Sequence, residues 1–283
     1  MRARPSRRQT VALRWVFRAL FALVVVYIVQ LWYVSPLGPD VYRAAHVPGA
    51  TVEVLGIGRH SATVIFVHGL AGNAAQTIPL VSRLRKTLWQ VSFLLPSATF
   101  RPLTAKNGAD YPAWFDIENL QIPLDASLPD REDEEGLAAA VERIHALVQG
   151  ELDKGIDPDR IVLAGFSQGC ATALISAISS KEKLGGVACL SGWLPLSYKI
   201  KKIGRTMRHP LQSDHAHELP VFWGHGAADP TVPYRWADES IAQLTKLEFR
   251  SIEFHTYDWL EHDISRPEEE DLAAWLERLL PPT

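Results

Sequence analysis

The sequence predicts an α/β architecture, one mostly parallel, doubly wound sheet in a single catalytic domain, on three observations. Apolar runs rich in β-forming residues recur along the chain, amphipathic stretches of helical length separate them, and the runs are apolar almost throughout. Continuous apolar character suits parallel strands covered on both faces. Strict alternation of strand and helix implies right-handed crossovers. The length of 283 residues accommodates one such domain.

The strand-like runs are 63–67, 91–95, 161–166, 187–190, 221–223 and 252–257. Helices are predicted over 75–88, 134–148, 168–179, 235–247 and 267–280. The acidic run 130–135 precedes the second of these helices, where carboxylates favour the positive end of the helix dipole. No internal repeat is visible.

Hydrophobic residues make up 47% of the chain and charged residues 22%, the composition of a folded protein. The formal net charge of −3 hides an asymmetry, because Arg2, Arg4, Arg7, Arg8, Arg14 and Arg18 crowd the start. The remainder carries 23 basic against 32 acidic side chains and lacks the footprint that neutralises phosphates, so no nucleic-acid partner is expected. Cys170 and Cys189, the two cysteines, lie in apolar surroundings without metal-ligand spacing and are expected to be buried free thiols.

After the arginines, residues 19–34 hold sixteen residues with Gln30 as the one strongly polar side chain. As a helix this segment spans roughly 24 Å, and including residues 15–18 gives enough length for a hydrocarbon core of about 30 Å. Trp32 and Tyr33 fit an interfacial anchor. The expectation is a single-pass membrane protein with an N-terminal transmembrane anchor and linker over 1–40 and a catalytic domain over 45–283. A targeting segment and a core helix are the alternatives. The side of the membrane facing the domain stays open.

The most informative stretch is IVLAGFSQGCATALISA. A strand-like run enters Gly165-Phe166-Ser167-Gln168-Gly169 and leaves as a helix, which is G-x-S-x-G in the strand–turn–helix context of the α/β-hydrolase fold. A sharp turn strains the serine backbone, and flanking glycines avoid collisions there. Serine needs a base and a group that orients the base. In this fold they follow in the order acid, then histidine. Asp229 lies in the loop after the run 221–223, and His262 in the loop after the run 252–257. Asp214, Asp238 and Asp258 are less well placed, and His68, His225 and His255 read as structural. His209, His215 and His217 lack convergent acids or cysteines, so no metal is expected. Ser167, Asp229 and His262 are therefore the expected catalytic triad. The oxyanion donors are expected at the N–H of Gln168 and, from the loop after an early strand, of Leu70.

With these residues in place, the chain resembles the acyl-protein thioesterase and carboxylesterase family. The resemblance runs over residues 62–280 through VIFVHGL, PAWFDI, DEEGL, AGFSQG, LSGWLPL, GHGAADPTVP and the His262 loop. It implies hydrolysis of acyl thioesters or oxygen esters on an acylated protein or a lipid ester, with the same triad and oxyanion donors and no cofactor. Trp114, Phe115, Trp193 and Leu194 are expected to wall an acyl channel, or else to pack as aromatic core. Three departures from the family pattern stand out: Ala71 after HGL, Cys170 after GFSQG, and Asp263 after the base. The leading expectation is protein depalmitoylation. A membrane-anchored carboxylesterase or lysophospholipase needs the same residues, and a serine peptidase or a non-catalytic scaffold on the same fold completes the alternatives.

Overall fold

The computed structural model describes residues 43–57, 59–199 and 213–283. The chain divides into two units, 1–43 and 44–283, and the elements below belong to the second. In order they are β1 (Thr51–Val54), β2 (Ala62–Val67), α1 (Ala74–Leu84), β3 (Val91–Pro96), β4 (Phe100–Leu103), β5 (Ala109–Pro112), α2 (Glu134–Asp153), β6 (Ile161–Phe166), α3 (Gln168–Ser179), β7 (Gly186–Leu190), β8 (Val221–Gly226), α4 (Tyr234–Lys246), β9 (Ile252–Tyr257) and α5 (Arg266–Leu279).

The fold is that of an α/β hydrolase with a mostly parallel central sheet. Seven strands lie in the order β1-β3-β2-β6-β7-β8-β9, and β4 pairs with β5 in a separate hairpin. All neighbours in the main sheet are parallel except β1 on β3. The chain leaves β2 toward β3 on one side and returns to β6 on the other. The loops after β2 and β6 therefore part above the sheet, at the point where open α/β sheets build their ligand sites.

Residues of β8 show how the faces divide. Val221 and Trp223 join a large cluster with Ile144 of α2 and Leu174 of α3. Phe222, between them, points the other way, its ring centroid 5.7 Å from that of Trp275 in α5. The α5 helix is tied to α1 by a two-pronged pairing of Arg83 with Glu269, the Nε–Oε2 contact being 2.7 Å. Helix α3 is buried from Gln168 to Ile178, and its small side chains let it lie close to the strands. Its hydroxyls are satisfied internally: Thr172 and Ser176 donate to the carbonyls four residues back, at 3.0 and 2.7 Å.

Three strands lie beyond the sequence expectation. β1 alternates exposed and buried residues over four positions at a sheet edge, too short a period to stand out. β4 and β5 contain Pro102 and Pro112, which argue against strands in a sheet interior but are tolerated in a hairpin. The signal that marks this hairpin is Asn107-Gly108, whose φ values of 55° and 78° supply the left-handed turn.

Two expectations are corrected. Among the described residues no helix is long and apolar enough to cross a membrane, which overturns the expected single-pass membrane localisation; residues 19–34, on which it rested, lie outside the described residues. The physical reason is plain in the two candidates by length and polarity. α2 has 20 residues but carries Glu134, Glu135, Glu142, Arg143, Glu151 and Asp153. The apolar α3 has 12, about 18 Å against a core of about 30 Å. Second, Cys170 and Cys189 form a disulfide rather than free thiols. Gly165 of β6 faces Cys189 across the β6–β7 ladder, and the turn into α3 brings Cys170 back over that position. The Cα atoms lie 4.7 Å apart, inside the range a disulfide needs; a sequence separation of 19 gave no hint of it.

Glu268 is fully buried at the start of α5, where it closes a capping box with Ser265. Its Oε1 has no hydrogen-bond partner, and a Cβ on Gly224 would lie 2.3 Å from that atom. Burial first, then the nearby Asp263, Glu269 and Asp271, push its carboxyl up to about 8. The folded state thus holds a proton that the unfolded chain gives up near pH 4.5. The stabilisation is complete below that pH and is lost as pH rises toward 8. Glu268→Gln is expected to gain stability over wild type by an amount that grows from pH 5 to pH 8, up to a few kcal/mol, read as a widening Tm difference. A difference in Tm independent of pH would count against the buried proton.

Candidate functional site

Ser167 sits between β6 and α3 with φ 56° and ψ −123°, a backbone region that L side chains occupy only under constraint. The constraint is the contact of three backbones. A Cβ on Gly165 would come 2.2 Å from the Gly169 carbonyl oxygen, and one on Gly169 would come 2.0 Å from that of Val67 in β2. The Ser167 N–H donates to the Leu190 carbonyl at the end of β7, at 2.9 Å. Ser167 is thereby held above the C-terminal ends of β2, β6 and β7 at once.

Asp229 and His262 reach Ser167 from loops after β8 and β9. These loops are sewn together: Ala227 N–H donates to the Tyr257 carbonyl at 3.0 Å and Ala228 N–H to that of Leu260 at 3.2 Å. Gly226 belongs to the seam, since a Cβ there would lie 2.1 Å from the Leu260 oxygen. His262 Nδ1 lies 2.7 Å from Asp229 Oδ2, and its Nε2 lies 2.9 Å from Ser167 Oγ. The imidazole rests on Phe166, with ring centroids 4.7 Å apart. Asp229 is buried, and its Oδ1 accepts the N–H groups of Thr231 and Val232 at 2.8 and 2.9 Å. With both oxygens accepting, the direction of the carboxylate is fixed.

The loop after β2 approaches from the other side. A Cβ on Gly69 would stand 3.2 Å from Ser167 Cβ, so the loop lies directly against the serine. His68 shapes it. One ring nitrogen, Nδ1, lies 2.7 Å from the Gly69 carbonyl, and the other, Nε2, accepts the Ala98 N–H at 2.9 Å, which assigns the proton to Nδ1. Burial holds the His68 imidazole down to about 4, so it stays neutral. Ala71, at φ 59°, turns its N–H to the Pro112 carbonyl at 2.8 Å. The Leu70 N–H and the Gln168 N–H, the latter at the first helical position where no intrahelical acceptor exists, make no hydrogen bond to a loop or cap acceptor among the described residues.

The four residues expected at the substrate channel are all buried and lie in one core cluster. Trp114 packs on His68 with centroids 5.2 Å apart, donates Nε1–H to the His68 carbonyl at 2.8 Å and lies under the Arg143 guanidinium. Phe115 and Trp193 meet edge to face at 6.1 Å, and Trp193 meets Trp236 at 5.5 Å. Leu194 is anchored by its N–H on Ser240 Oγ at 2.9 Å.

Sequence reasoning missed two side chains. Gln168 was singled out for its N–H, yet its amide also clamps the neighbouring segment: Oε1 accepts the Trp114 N–H at 3.0 Å and Nε2 donates to the Phe115 carbonyl at 2.8 Å. A lone amide opening an otherwise apolar helix was the available signal. Glu132 accepts from Trp193 Nε1 at 2.8 Å and from the Leu196 N–H; it was hidden in an acidic run that reads as helix capping. Other histidines serve structure. His225, buried beside Asp229, donates to the Val232 carbonyl at 3.0 Å, and burial pushes its pKa down. His215 pairs with the Glu182 carbonyl, His217 lies 3.8 Å from Glu218, and His209 lies outside the described residues. Among the described residues no group of three or more His, Cys, Asp or Glu side chains could hold a metal ion.

Comparison with known proteins identifies the family. The phospholipase/carboxylesterase family model matches residues 50–280. Acyl-protein thioesterase 1 of Cryptococcus neoformans is 37% identical over 229 residues, covering 77% of this chain and 92% of its own length. The protein of the same name from Gibberella zeae is 38% identical over 226 residues, covering 79% and 93%. The crystal structure of Zea mays acyl-protein thioesterase 2 superposes with a TM-score of 0.68 at 28% identity, covering 82% of this chain and 99% of its own. Arabidopsis thaliana SOBER1 gives 0.69 at 30%, covering 77% and 99%. With a match over residues 50–280, which span the whole seven-stranded sheet, the chain belongs to the phospholipase/carboxylesterase family of serine hydrolases.

Proposed function

We propose that the chain hydrolyses acyl thioesters, acting as an acyl-protein thioesterase through Ser167, His262 and Asp229. The observation that carries this reading is the unbroken series of contacts from Asp229 Oδ2 to His262 Nδ1 at 2.7 Å and from His262 Nε2 to Ser167 Oγ at 2.9 Å. Asp229 keeps a proton on Nδ1, leaving the Nε2 lone pair to accept the hydroxyl proton as Ser167 Oγ attacks the acyl carbonyl. The oxyanion that forms needs two N–H donors already in place. Leu70 and Gln168 supply them. Collapse of the intermediate breaks the carbon–sulfur bond, and the proton on His262 passes to the departing thiolate. Water then enters, gives its proton to His262 and attacks the acyl-serine. Ser167 leaves as the alcohol, taking that proton, and the fatty acid is released. No step calls on a metal or an organic cofactor.

The names of the relatives favour an S-acylated protein as substrate. The Trp193–Phe115 pair lies beside the Gln168 amide that opens α3, and gives the acyl chain an apolar neighbour. A small lipid ester would use the same residues, so the leaving group separates the two activities. Presented with one acyl chain as thioester and as oxygen ester, the protein is expected to show the higher kcat/KM on the thioester. The reverse preference would assign it to carboxylesterase or lysophospholipase chemistry.

The roles of the three residues differ in size. Ser167→Ala is expected to remove about 10^6-fold in kcat, and Asp229→Asn about 10^4-fold through loss of the correct imidazole tautomer, with circular dichroism unchanged in both. Turnover by folded Ser167→Ala near the wild-type rate would remove Ser167 as nucleophile.

A further inference from the structure

The segment after β7 forms the side of the site next to α3. It begins against the serine itself: a Cβ on Gly192 would lie 2.9 Å from the Ser167 carbonyl oxygen and 2.3 Å from Cys170 Sγ. Its backbone is bent at Ser191 (φ 48°) and again at Leu196 (φ 58°), two left-handed positions occupied by residues other than glycine. Such a path persists when surrounding groups over-determine it. One bend is held by the Ser191 N–H on the Gly224 carbonyl at 2.9 Å. The other is held from outside by Glu132, whose carboxylate takes the Leu196 N–H and Trp193 Nε1–H together.

A carboxylate in this place has a cost that an amide or a hydroxyl would avoid. Glu132 is half-buried and its carboxylate meets the buried Trp193 and Leu196, and removing a charge from water even in part is unfavourable unless hydrogen bonds replace the lost hydration. The next residues are spent otherwise. Asp133 caps α2 through the Gly136 N–H and also accepts the Asp116 N–H, at 2.9 and 2.7 Å, and Glu134 takes the Tyr198 hydroxyl and Lys199. Glu132 and Glu134 thus both hold the segment after β7, Glu132 at residues 193 and 196 and Glu134 at residues 198 and 199, and of the three acids Glu132 alone contacts Trp193.

We propose that Glu132 is a positioning residue for acyl-chain recognition: by holding Trp193 and Leu196 it sets the wall of residues 191–197 beside Ser167, and so the preference for long over short acyl chains. This rests on the hydrolase reading above. Glu132 acts through Trp193 and touches no reacting atom, so its effect falls on how the chain is held rather than on the proton transfers at His262.

A pH signature follows from the geometry. Two N–H donors converge on Glu132, and its ionised form accepts both. Burial raises its carboxyl to about 7, opposed by the hydrogen bonds from Trp193 and Leu196 and aided by the charge of Glu134. The other titratable groups close by are committed elsewhere: Tyr198 and Lys199 to Glu134, Arg131 to Glu118, and Asp133 to Arg101. Below about pH 7 the protonated carboxyl sets an O–H against one of the two donors, and the wall loosens.

The test uses the full chain and two probes, p-nitrophenyl laurate and p-nitrophenyl butyrate, with kcat and KM measured separately from pH 6 to pH 8. Any pH dependence of the chemistry shared by the two esters cancels in their ratio. Glu132→Gln is expected to lower the laurate-to-butyrate ratio of kcat/KM about tenfold at pH 8, the scale of one charge-assisted hydrogen bond, through the KM for laurate. Trp193→Phe keeps an aromatic ring and loses only the indole and its N–H; it is expected to lower the ratio similarly, and the double variant no further than either single one. In wild type the ratio should fall as pH drops through 7, and in Glu132→Gln stay flat. A ratio unchanged in both variants, equal losses on both esters, or additive losses in the double variant would overturn the proposal while leaving the hydrolase reading intact. Absence of Ser167-dependent turnover of either ester would overturn that reading, and this one with it.

Discussion

The approach of the Gly169 backbone to the Val67 carbonyl is the constraint on which the site depends. A single added methyl group would stand 2.0 Å from that oxygen, closer than any packing change could relieve, because both partners are main chain. With glycine there, α3 starts immediately beyond the sheet, and the serine before it takes its left-handed conformation. The loop after β2 then reaches the serine from the other side, since a Cβ on Gly69 would stand only 3.2 Å from that of Ser167. Strand order does the rest, by parting the β2 and β6 loops around this point.

The acid and the base are placed by a different device. They come from loops 33 residues apart in the chain, and the seam of backbone hydrogen bonds between residues 227–228 and 257–260 makes those loops one unit. Asp229 is oriented before it meets the imidazole, because two N–H groups already occupy its other oxygen. This is preorganisation in a literal sense: the carboxylate has little reorientation left to undergo as charge develops on His262. The neutral His225 and His68 contribute shape rather than charge, each fixing a loop through a backbone carbonyl.

Much of this was legible in the sequence, and the reason is local. The buried parallel strands announce themselves as unbroken apolar runs, and six of the seven strands of the main sheet fall where those runs lie. GFSQG carries its own explanation, since each glycine answers a specific close approach. Asp229 and His262 could be placed from strand order alone. What escaped was set by contacts between distant segments. The edge strand β1 and the β4–β5 hairpin draw on pairing rather than on periodicity. The Cys170–Cys189 bond depends on the β6–β7 register. Glu132 looks like a helix-start acid, and nothing in its neighbourhood predicts an indole 61 residues away.

The Cys170–Cys189 bond encloses all of α3 beyond its first two residues, together with the turn into β7. That turn carries the exposed Lys181, Glu182 and Lys183, the most accessible stretch of the ring for a trypsin-like protease. A cut there would leave the two halves joined through sulfur as well as through the sheet. The nicked protein would keep its mass until reduced, and the serine would remain attached to both β6 and β7. The crosslink therefore makes this part of the molecule tolerant of a broken backbone at the same place where it is intolerant of an added methyl group.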